Sequence, residues 1–226
     1  MKFLNIAVDG VSGSGKTTIC DILAKKLGIN HLSSGAIYRA IALYIIKTNI
    51  NYLGYINNNK QMQIQVKEDL KNCNIEVKFD NFIQKIYLNK VDCTNLLNTN
   101  EISNVASIIS QNHTVREMVK EIQLKLASTQ DIIIDGRDIT SEVLVDADFK
   151  FFITASIDVR AERRFLQYNK KVPLEEIKKE LAERDYRDEH REISPLKIVK
   201  DAIIIDTTNI NVDDAINKML YYIKQK

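Results

Sequence analysis

The chain has 226 residues, of which 45% are hydrophobic and 27% charged, as expected for a soluble protein with one large core. The net charge of +2 argues against a broad nucleic-acid surface, and no apolar stretch is long enough to span a bilayer. The three cysteines lack zinc-site spacing, and the sequence enters a strand pattern without a signal peptide. We therefore expect a cytoplasmic monomer with reduced thiols and with neither a nucleic-acid nor a membrane partner.

The first element is an apolar run at residues 3–9, which predicts a buried strand, and residues 16–27 have the periodicity of a helix. Between them, residues 10–17 read Gly-Val-Ser-Gly-Ser-Gly-Lys-Thr, which matches the phosphate-binding P-loop in its strand–loop–helix setting. The glycines let backbone N–H groups surround a phosphate, and the helix N-terminus adds positive charge. Lys16 can reach the outer phosphates and the Thr17 hydroxyl can bind magnesium, so we expect a nucleoside triphosphate to bind here.

The rest of the chain alternates between short apolar segments and helical patterns. Strands are predicted at 29–33, 131–135, 149–153 and 202–206, and helices at 35–47, 101–129 (divided near Gln111), 156–169, 173–187 and 211–225. This order predicts an α/β fold, with a five-stranded parallel sheet covered by helices on both faces. The stretch 48–100 differs, because residues 75–79 and 83–88 alternate with period two and predict a hairpin in an inserted antiparallel subdomain.

Arginines and acids follow the predicted strands, at the edge of the sheet where ligands bind. Arg39 lies one turn into the helix after the second strand, where it can meet an anion. Asp135 ends an apolar strand in a Walker B-like position and can hold magnesium through water, although such a residue can also be a turn cap. Arg137 can clamp a phosphate, and the carboxylate of Asp138 can accept hydrogen bonds from an amino group.

Residues 183–191 form a run of alternating charge. On a helix, Arg184, Asp188 and Arg191 fall at i, i+4 and i+7, on one face. Such a run is usually a solvated surface, but with the other clusters it favours a mobile arm that closes over phosphates. Arginines on several separate segments suit two phosphorylated substrates, because phosphoryl transfer depends on positioning and charge neutralisation.

These segments resemble the bacterial cytidylate kinases, within the nucleoside monophosphate kinase group of P-loop proteins. The likeness runs from about residue 3 to about 223 and is carried by the P-loop and by Ser34-Gly35-Ala36-Ile37-Tyr38-Arg39, Asn104-Val105-Ala106-Ser107, Val115-Arg116-Glu117, Asp135-Gly136-Arg137-Asp138, Arg160-Ala161-Glu162-Arg163-Arg164 and Arg184-Asp185-Tyr186-Arg187-Asp188. The resemblance implies a P-loop kinase fold with a core of residues 1–33 and 101–226, a helical lid at about 156–171 and a monophosphate-binding subdomain at 34–100. It also implies that ATP, with Mg²⁺, donates its γ-phosphoryl group to CMP or dCMP.

The resemblance assigns residue roles as well. ATP would bind Gly10, Val11, Ser12, Gly13, Ser14, Gly15, Lys16, Thr17 and Thr18, and CMP would bind Ser34, Arg39, Ser107, Arg116, Arg137, Asp138, Arg184, Asp188 and Arg191. The catalytic cations would be Lys16, Arg137, Arg163 and Arg184, and the candidate magnesium ligands are Thr17 and Asp135. Independently of the family, a carboxylate at Asp138 favours cytosine, whose amino group stands where uracil has a carbonyl.

Four departures from the family pattern bear on affinity and acceptor preference more than on reaction type. Val11 replaces a frequent proline, Ser33 an acid, Asn98 an arginine, and residues 139–142 read Ile-Thr-Ser-Glu where Gly-Thr is usual.

Three other functions stay open. Another small-molecule kinase on the same scaffold would phosphorylate UMP, AMP or shikimate. A GTP-dependent switch would use Asn89-Lys90-Val91-Asp92, which matches N-K-x-D, but no D-x-x-G segment precedes it. A non-catalytic nucleotide-binding module would not need arginines for a second phosphate. We expect the isolated His31, His113 and His190 to have surface or core roles rather than to bind metal.

Overall fold

The computed structural model describes residues 2–225 as strands and helices that alternate along most of the chain. The strands are β1 (Asn5–Gly10), β2 (Asn30–Ser33), β3 (Ile75–Asp80), β4 (Ile83–Leu88), β5 (Val91–Asp92), β6 (Ile132–Asp135), β7 (Phe149–Thr154) and β8 (Ile203–Asp206). The helices are α1 (Lys16–Leu27), α2 (Ser34–Lys47), α3 (Lys60–Asp69), α4 (Asn100–Ile109), α5 (His113–Ala127), α6 (Ile157–Gln167), α7 (Leu174–His190) and α8 (Val212–Lys224).

The eight strands of residues 2–225 belong to one sheet, in the order β3-β4-β2-β6-β1-β7-β8, with β5 paired to β4. The part from β2 to β8 is the predicted five-stranded parallel sheet. Its two faces are covered by different helices. Ile6 and Val8 pack with residues of α1 and α8, whereas Ala7 packs with residues of α2, α4 and α5 on the other face. Because both faces are buried, the central strands are almost continuously apolar.

The predicted hairpin is present as β3 and β4, which pair antiparallel from Ile75↔Leu88 to Asp80↔Ile83. Its turn residues Asn81 and Phe82 both have positive φ, the geometry that matches the twist of a two-residue hairpin. The hairpin extends the main sheet, because β4 pairs parallel with β2 at His31↔Ile83.

The N-K-x-D string is a second tight turn. Asn89 and Lys90 have φ of 49° and 69° and join β4 to β5. The prediction that this string is the end of a hairpin strand was wrong in detail, because β4 ends at Leu88 and the string forms a turn followed by β5. Neither Asn89 nor Lys90 lines the large cavity described below.

Besides the short strand β5, a helix and a helical turn were not predicted from the sequence. Helix α3 buries only Val66, and its mostly polar sequence therefore shows little apolar periodicity. Asn59 caps the start of this helix, because its side chain accepts a hydrogen bond from Met62 N. Residues Ile139–Val143 form a π-helical turn directly after the Arg137-Asp138 pair. Within residues 2–225, no helix combines the length and the apolar character needed to cross a membrane.

Candidate active site

A cavity of about 1040 Å³ opens at the carboxyl ends of the parallel strands, and it is large for a single small ligand. Most residues that the sequence assigns to ATP, CMP and magnesium line it: Ser12, Gly13, Ser14, Gly15, Lys16, Thr17, Thr18, Ser34, Arg39, Ser107, Arg116, Asp135, Arg137, Asp138, Arg163, Arg184, Asp188 and Arg191. Gly10 and Val11, at the start of the P-loop, are buried and do not line the cavity. Asn98, one of the expected departures from the family pattern, also faces the cavity.

The P-loop conformation depends on its glycines. Gly13 and Gly15 have φ of 76° and 88°, which side-chain-bearing residues rarely adopt. Gly10 also has a positive φ, of 149°, and a Cβ there would lie 1.9 Å from the carbonyl oxygen of Ile153 on β7. Gly15 is the N-cap of α1, so the first N–H groups of this helix face the cavity. This end of the cavity is therefore suited to phosphate.

Lys16 lies under the loop and is 5% exposed. Its Nζ donates hydrogen bonds of 2.8 Å to the carbonyl oxygens of both Gly10 and Val11. Burial, followed by repulsion from Arg137, lowers the pKa of Lys16 to about 7, although Asp135 and Asp9 oppose this shift. A bound phosphate would restore the charged form, because an adjacent anion favours the ammonium.

Helices α6 and α7 are attached to the P-loop by a buried ion pair that the sequence did not identify. Arg160 NH1 lies 2.5 Å from Asp185 Oδ2 and also donates to Ser12 O over 3.0 Å. The other oxygen of Asp185 accepts a 3.3 Å bond from Ser12 N. The backbone of Ser12 is thus held between an arginine of α6 and an aspartate of α7.

A second arginine of α6 lies beside the loop. Arg163 NH1 donates to Ser14 O over 3.3 Å and to Thr207 Oγ1 over 3.0 Å. Thr207 follows β8 and donates in turn to Ser14 O. The loop after β8 was not predicted to contribute, because residues 207–211 carry no charged residue and no recognised motif.

The centre of the cavity carries a group of arginines. Arg137 Nε donates to Asp188 Oδ2 over 2.9 Å, whereas the Nε atom of Arg39 is buried with no hydrogen-bond partner in residues 2–225. Burial and repulsion from Arg137 lower the pKa of Arg184 to about 10, with Arg164 and Arg39 adding to this effect. Mutual repulsion of these cations marks a place where an anion would be strongly stabilised.

The far end of the cavity holds Asp138 between two arginines. Asp138 Oδ2 accepts a hydrogen bond from Arg116 Nη2, and Asp138 Oδ1 lies 3.8 Å from Arg191 Nη2. This Nη2 atom of Arg191 is buried and has no hydrogen-bond partner among the described residues. The Arg116 guanidinium lies 5.9 Å from the ring centroid of Tyr38, a residue for which the sequence predicted no role. Ser107 Oγ accepts a 2.8 Å bond from Arg187 NH1, so α7 also reaches this end. Carboxylate, guanidinium and hydroxyl together can bind the polar edge of a base.

A buried acid supports this arrangement from below. Asp9, at 0% exposure, accepts hydrogen bonds from Ile139 N (2.9 Å), Thr140 N (2.7 Å) and Thr140 Oγ1 (2.7 Å). These bonds hold the π-helical turn that follows Asp138. Burial raises the pKa of Asp9 to about 6, partly offset by the hydrogen bonds from Thr140. Thr140, one of the departures from the family pattern, therefore supports the fold rather than facing the cavity.

The donors available for magnesium are oxygens from two sides of the cavity. Thr17 is exposed at the start of α1, and Asp135 ends β6. No cluster of three or more His, Cys, Asp or Glu side chains suited to a metal is found within the described part of the chain. One hydroxyl and one carboxylate are oxygen donors of the kind that magnesium accepts, commonly together with substrate phosphates and water.

The sequence model of the cytidylate kinase family matches residues 6–225. The chain is 40% identical to the cytidylate kinase of Caldicellulosiruptor saccharolyticus over 224 residues, which cover 97% of this chain and 95% of that protein. The chain belongs to the cytidylate kinase family. It is also 36% identical to the cytidylate kinase of Ligilactobacillus salivarius, covering 100% of this chain and 99% of the relative. The family predicted from the P-loop and the Gly-Arg-Asp string is thereby confirmed.

Solved structures support the fold over the full length. A protein of Eubacterium ventriosum superposes with a TM-score of 0.54 at 15% identity, covering 99% of both chains. A Thermus thermophilus protein gives 0.50 at 12% identity, covering 100% of this chain and 98% of that one. The α/β fold predicted for a P-loop kinase is present, whereas the roles of individual cavity residues stay predictions.

Proposed function

We propose that this member of the cytidylate kinase family transfers the γ-phosphoryl group of ATP to CMP or dCMP, giving ADP and the diphosphate. The observation that carries the proposal is the arrangement of a single cavity. A P-loop lies at one end, Asp138 lies between two arginines at the other, and Arg39, Arg137 and Arg184 lie between them. Such an arrangement suits two nucleotides bound with their phosphates facing each other.

In this proposal ATP occupies the P-loop, with its outer phosphates near Lys16 and Arg163. The CMP phosphate contacts Arg39 and Arg137, and its base contacts Ser107, Arg116 and Asp138, with Arg191 behind them. Arg184 and Asp188 lie beside the ribose. These assignments are supported by the shared cavity and by the unpaired donors on Arg39 and Arg191.

The chemistry is a direct transfer. An oxygen of the CMP phosphate attacks the γ-phosphorus in line as the bond to the bridging oxygen of ADP breaks, and no covalent enzyme intermediate forms. Lys16, Arg137, Arg163 and Arg184 balance the charge on the transferring group. Magnesium, held near Thr17 and Asp135, would neutralise charge on the β- and γ-phosphates.

We further propose that residues 34–100 act as a monophosphate-binding subdomain and about 156–171 as a lid, on a core of residues 1–33 and 101–226. Closure of both would exclude water and suppress ATP hydrolysis. The attachment of α6 to Ser12 and Ser14 supports a lid that acts on the donor end. We propose a cytoplasmic monomer whose partners are small nucleotides, without a nucleic-acid or membrane partner.

The test measures ADP formed from ATP and magnesium with CMP, dCMP, UMP, AMP or shikimate as acceptor. CMP or dCMP should give the highest kcat/KM, and ADP formation should be slow without an acceptor. Acceptor-independent hydrolysis with a preference for GTP would contradict the proposal in favour of a switch. A preference for shikimate or AMP would contradict the assignment of the acceptor end.

A further inference from the structure

His31 lies on β2, and its ring joins two carboxylates from different elements. Nδ1 is 2.7 Å from Asp21 Oδ1 on α1, and Nε2 is 2.9 Å from Asp135 Oδ1 at the end of β6. The His31 side chain is 1% exposed and that of Asp135 is 5% exposed, whereas that of Asp21 is 37% exposed. The expectation of a core role for His31 is therefore met, but its contacts lead directly to the cavity.

These distances determine the direction of the hydrogen bonds. A carboxylate only accepts, so a ring between two carboxylates donates from both nitrogens and carries a positive charge. His31 is thus the buried counter-ion of Asp135.

The bond to Asp135 also determines which oxygen of this carboxylate faces a ligand. Asp135 lines the cavity, and in residues 2–225 its side chain makes one hydrogen bond, the bond from His31 to Oδ1. Oδ2 therefore remains for a ligand in the cavity. Residues behind a metal ligand commonly orient it in this way, and their loss weakens metal binding.

We propose that His31, anchored by Asp21, is a positioning residue that holds Asp135 with one carboxylate oxygen directed toward nucleotide-bound magnesium. The inference rests on the proposed function, because it takes the phosphates of ATP or ADP to lie at the P-loop. It extends the site by two residues, His31 and Asp21, that line no part of the cavity.

Two substitutions separate the bond to Asp135 from the bond to Asp21. In His31→Gln the longer amide can place a donor where Nε2 lies, whereas in His31→Asn the shorter amide reaches only the position of Nδ1. The magnesium concentration at half-maximal rate should rise about tenfold or more in H31N and much less in H31Q. The KM for CMP should stay unchanged in both variants, and His113→Asn, an exposed histidine on α5, is the matched control.

A binding measurement gives a readout that does not depend on turnover. ADP is titrated calorimetrically into each variant, once with EDTA and once with magnesium. The affinity in EDTA should be the same in wild type and H31N, and the strengthening by magnesium should fall about tenfold in H31N and be largely restored in H31Q. A merely structural role of His31 would lower thermal stability without changing the ratio of the two affinities.

A third variant keeps the inference testable if H31N does not fold. Asp21→Ala removes the partly exposed anchor of the ring and should weaken the magnesium effect in the same direction, by a smaller factor. An unchanged magnesium effect in D21A and in any folded H31N protein would overturn the inference. Failure of the proposed function is a separate result: wild type would form no ADP with CMP, while the ADP titrations would still report on His31.

Discussion

Arg137 Nε donates a 2.9 Å hydrogen bond to Asp188 Oδ2, which joins the loop after β6 to the last turn of α7. Burial would lower the pKa of Arg137, but attraction to Asp188 and the hydrogen bond between them outweigh burial and raise it. Asp188 has a lowered pKa because Arg137, Arg184 and Arg191 together outweigh the effect of its burial. The guanidinium is therefore oriented by α7, and little reorganisation is needed when a phosphate binds.

Arg137→Ala should reduce kcat/KM for CMP by an amount equivalent to about 2–4 kcal/mol of transition-state stabilisation, because an oriented cation beside the transferring group is lost. The assay is steady-state ADP formation at saturating ATP. Arg137→Lys should recover only part of the loss, since an ammonium cannot bind a phosphate through two parallel N–H groups. A loss of tenfold or less in Arg137→Ala would contradict a contact with the phosphates.

Asp138→Asn should reduce the preference for CMP over UMP by about 1–3 kcal/mol, because an amide can donate to the uracil carbonyl whereas a carboxylate cannot. The measurement is the ratio of kcat/KM values for the two acceptors. Glu142→Gln is the control, since Glu142 pairs with the exposed Lys197 and does not line the cavity. An unchanged ratio in Asp138→Asn would assign base selection to other residues.

The residues that line the cavity were predictable because parallel strands end at the same edge of a sheet. Arg39 after β2 and Arg137 after β6 are 98 positions apart in the chain, yet both follow strands that pair directly. The P-loop could be recognised from its local sequence, since its glycines stand where the backbone adopts positive φ. Motif and strand order together therefore predict which loops meet.

The supporting contacts were not predictable, because they join residues that carry no local pattern. Asp185 meets Ser12 across 173 positions of sequence, and it lies in a charged run where every residue resembles a surface residue. His31 looks like an isolated core histidine in the sequence, and only the pairing of β2 with β6, two positions out of register with Asp135, brings its ring within hydrogen-bond distance of that carboxylate. The attachment of the hairpin to β2 rests on one residue pair, so alternation alone predicts the hairpin but not its neighbour.

Binding of ADP at pH 8 should be accompanied by proton uptake. In the free protein the pKa of Lys16 is about 7, so the side chain is mostly neutral at pH 8, and a bound phosphate raises this pKa. Calorimetric titrations in two buffers of different ionisation enthalpy measure the protons taken up, which should approach one per site. Lys16→Arg should show none, because guanidinium stays charged at this pH. Equal uptake in both proteins would contradict the assignment to Lys16.

The stabilising effect of Asp9 should depend on pH. Its pKa rises from 3.8 in the unfolded chain to about 6 when buried, so between these values the folded state binds more protons. Stability contributed by this group is therefore fully present below about pH 4 and falls as pH rises toward 7, by about 3 kcal/mol at most.

Asp9→Asn removes this titration. It also turns an amide N–H₂ group, which cannot accept a hydrogen bond, toward backbone N–H donors, so the variant should be less stable than wild type at both pH values measured. Urea unfolding at pH 4.5 and pH 7.5 measures both effects, and the advantage of wild type over the variant should be larger at pH 4.5. Asp213→Asn, at an exposed position on α8, is the matched control. An advantage that stays the same at both pH values would show that Asp9 is ionised throughout this range, and one that grows with pH would show that folding lowers its pKa.

Asp185→Ala should lower both thermal stability and ADP affinity. The Arg160 and Asp185 side chains are 7% and 13% exposed, and removing one partner of a buried pair typically costs about 3–5 kcal/mol because the remaining charge is uncompensated. Since Asp185 also accepts from Ser12 N, the P-loop loses a contact that fixes its backbone.

A double variant identifies the cause. If the uncompensated charge of Arg160 causes the loss of stability in Asp185→Ala, the double variant Arg160→Ala/Asp185→Ala should be more stable than Asp185→Ala alone. Its ADP affinity should stay low, because Ser12 N still lacks its hydrogen-bond acceptor. Lys178→Ala removes two ion pairs of the same helix, with the exposed Asp158 and Glu175, and should leave both the melting temperature and ADP affinity unchanged. If Asp185→Ala matched wild type in both measurements, the attachment of α7 to the P-loop would have no energetic role.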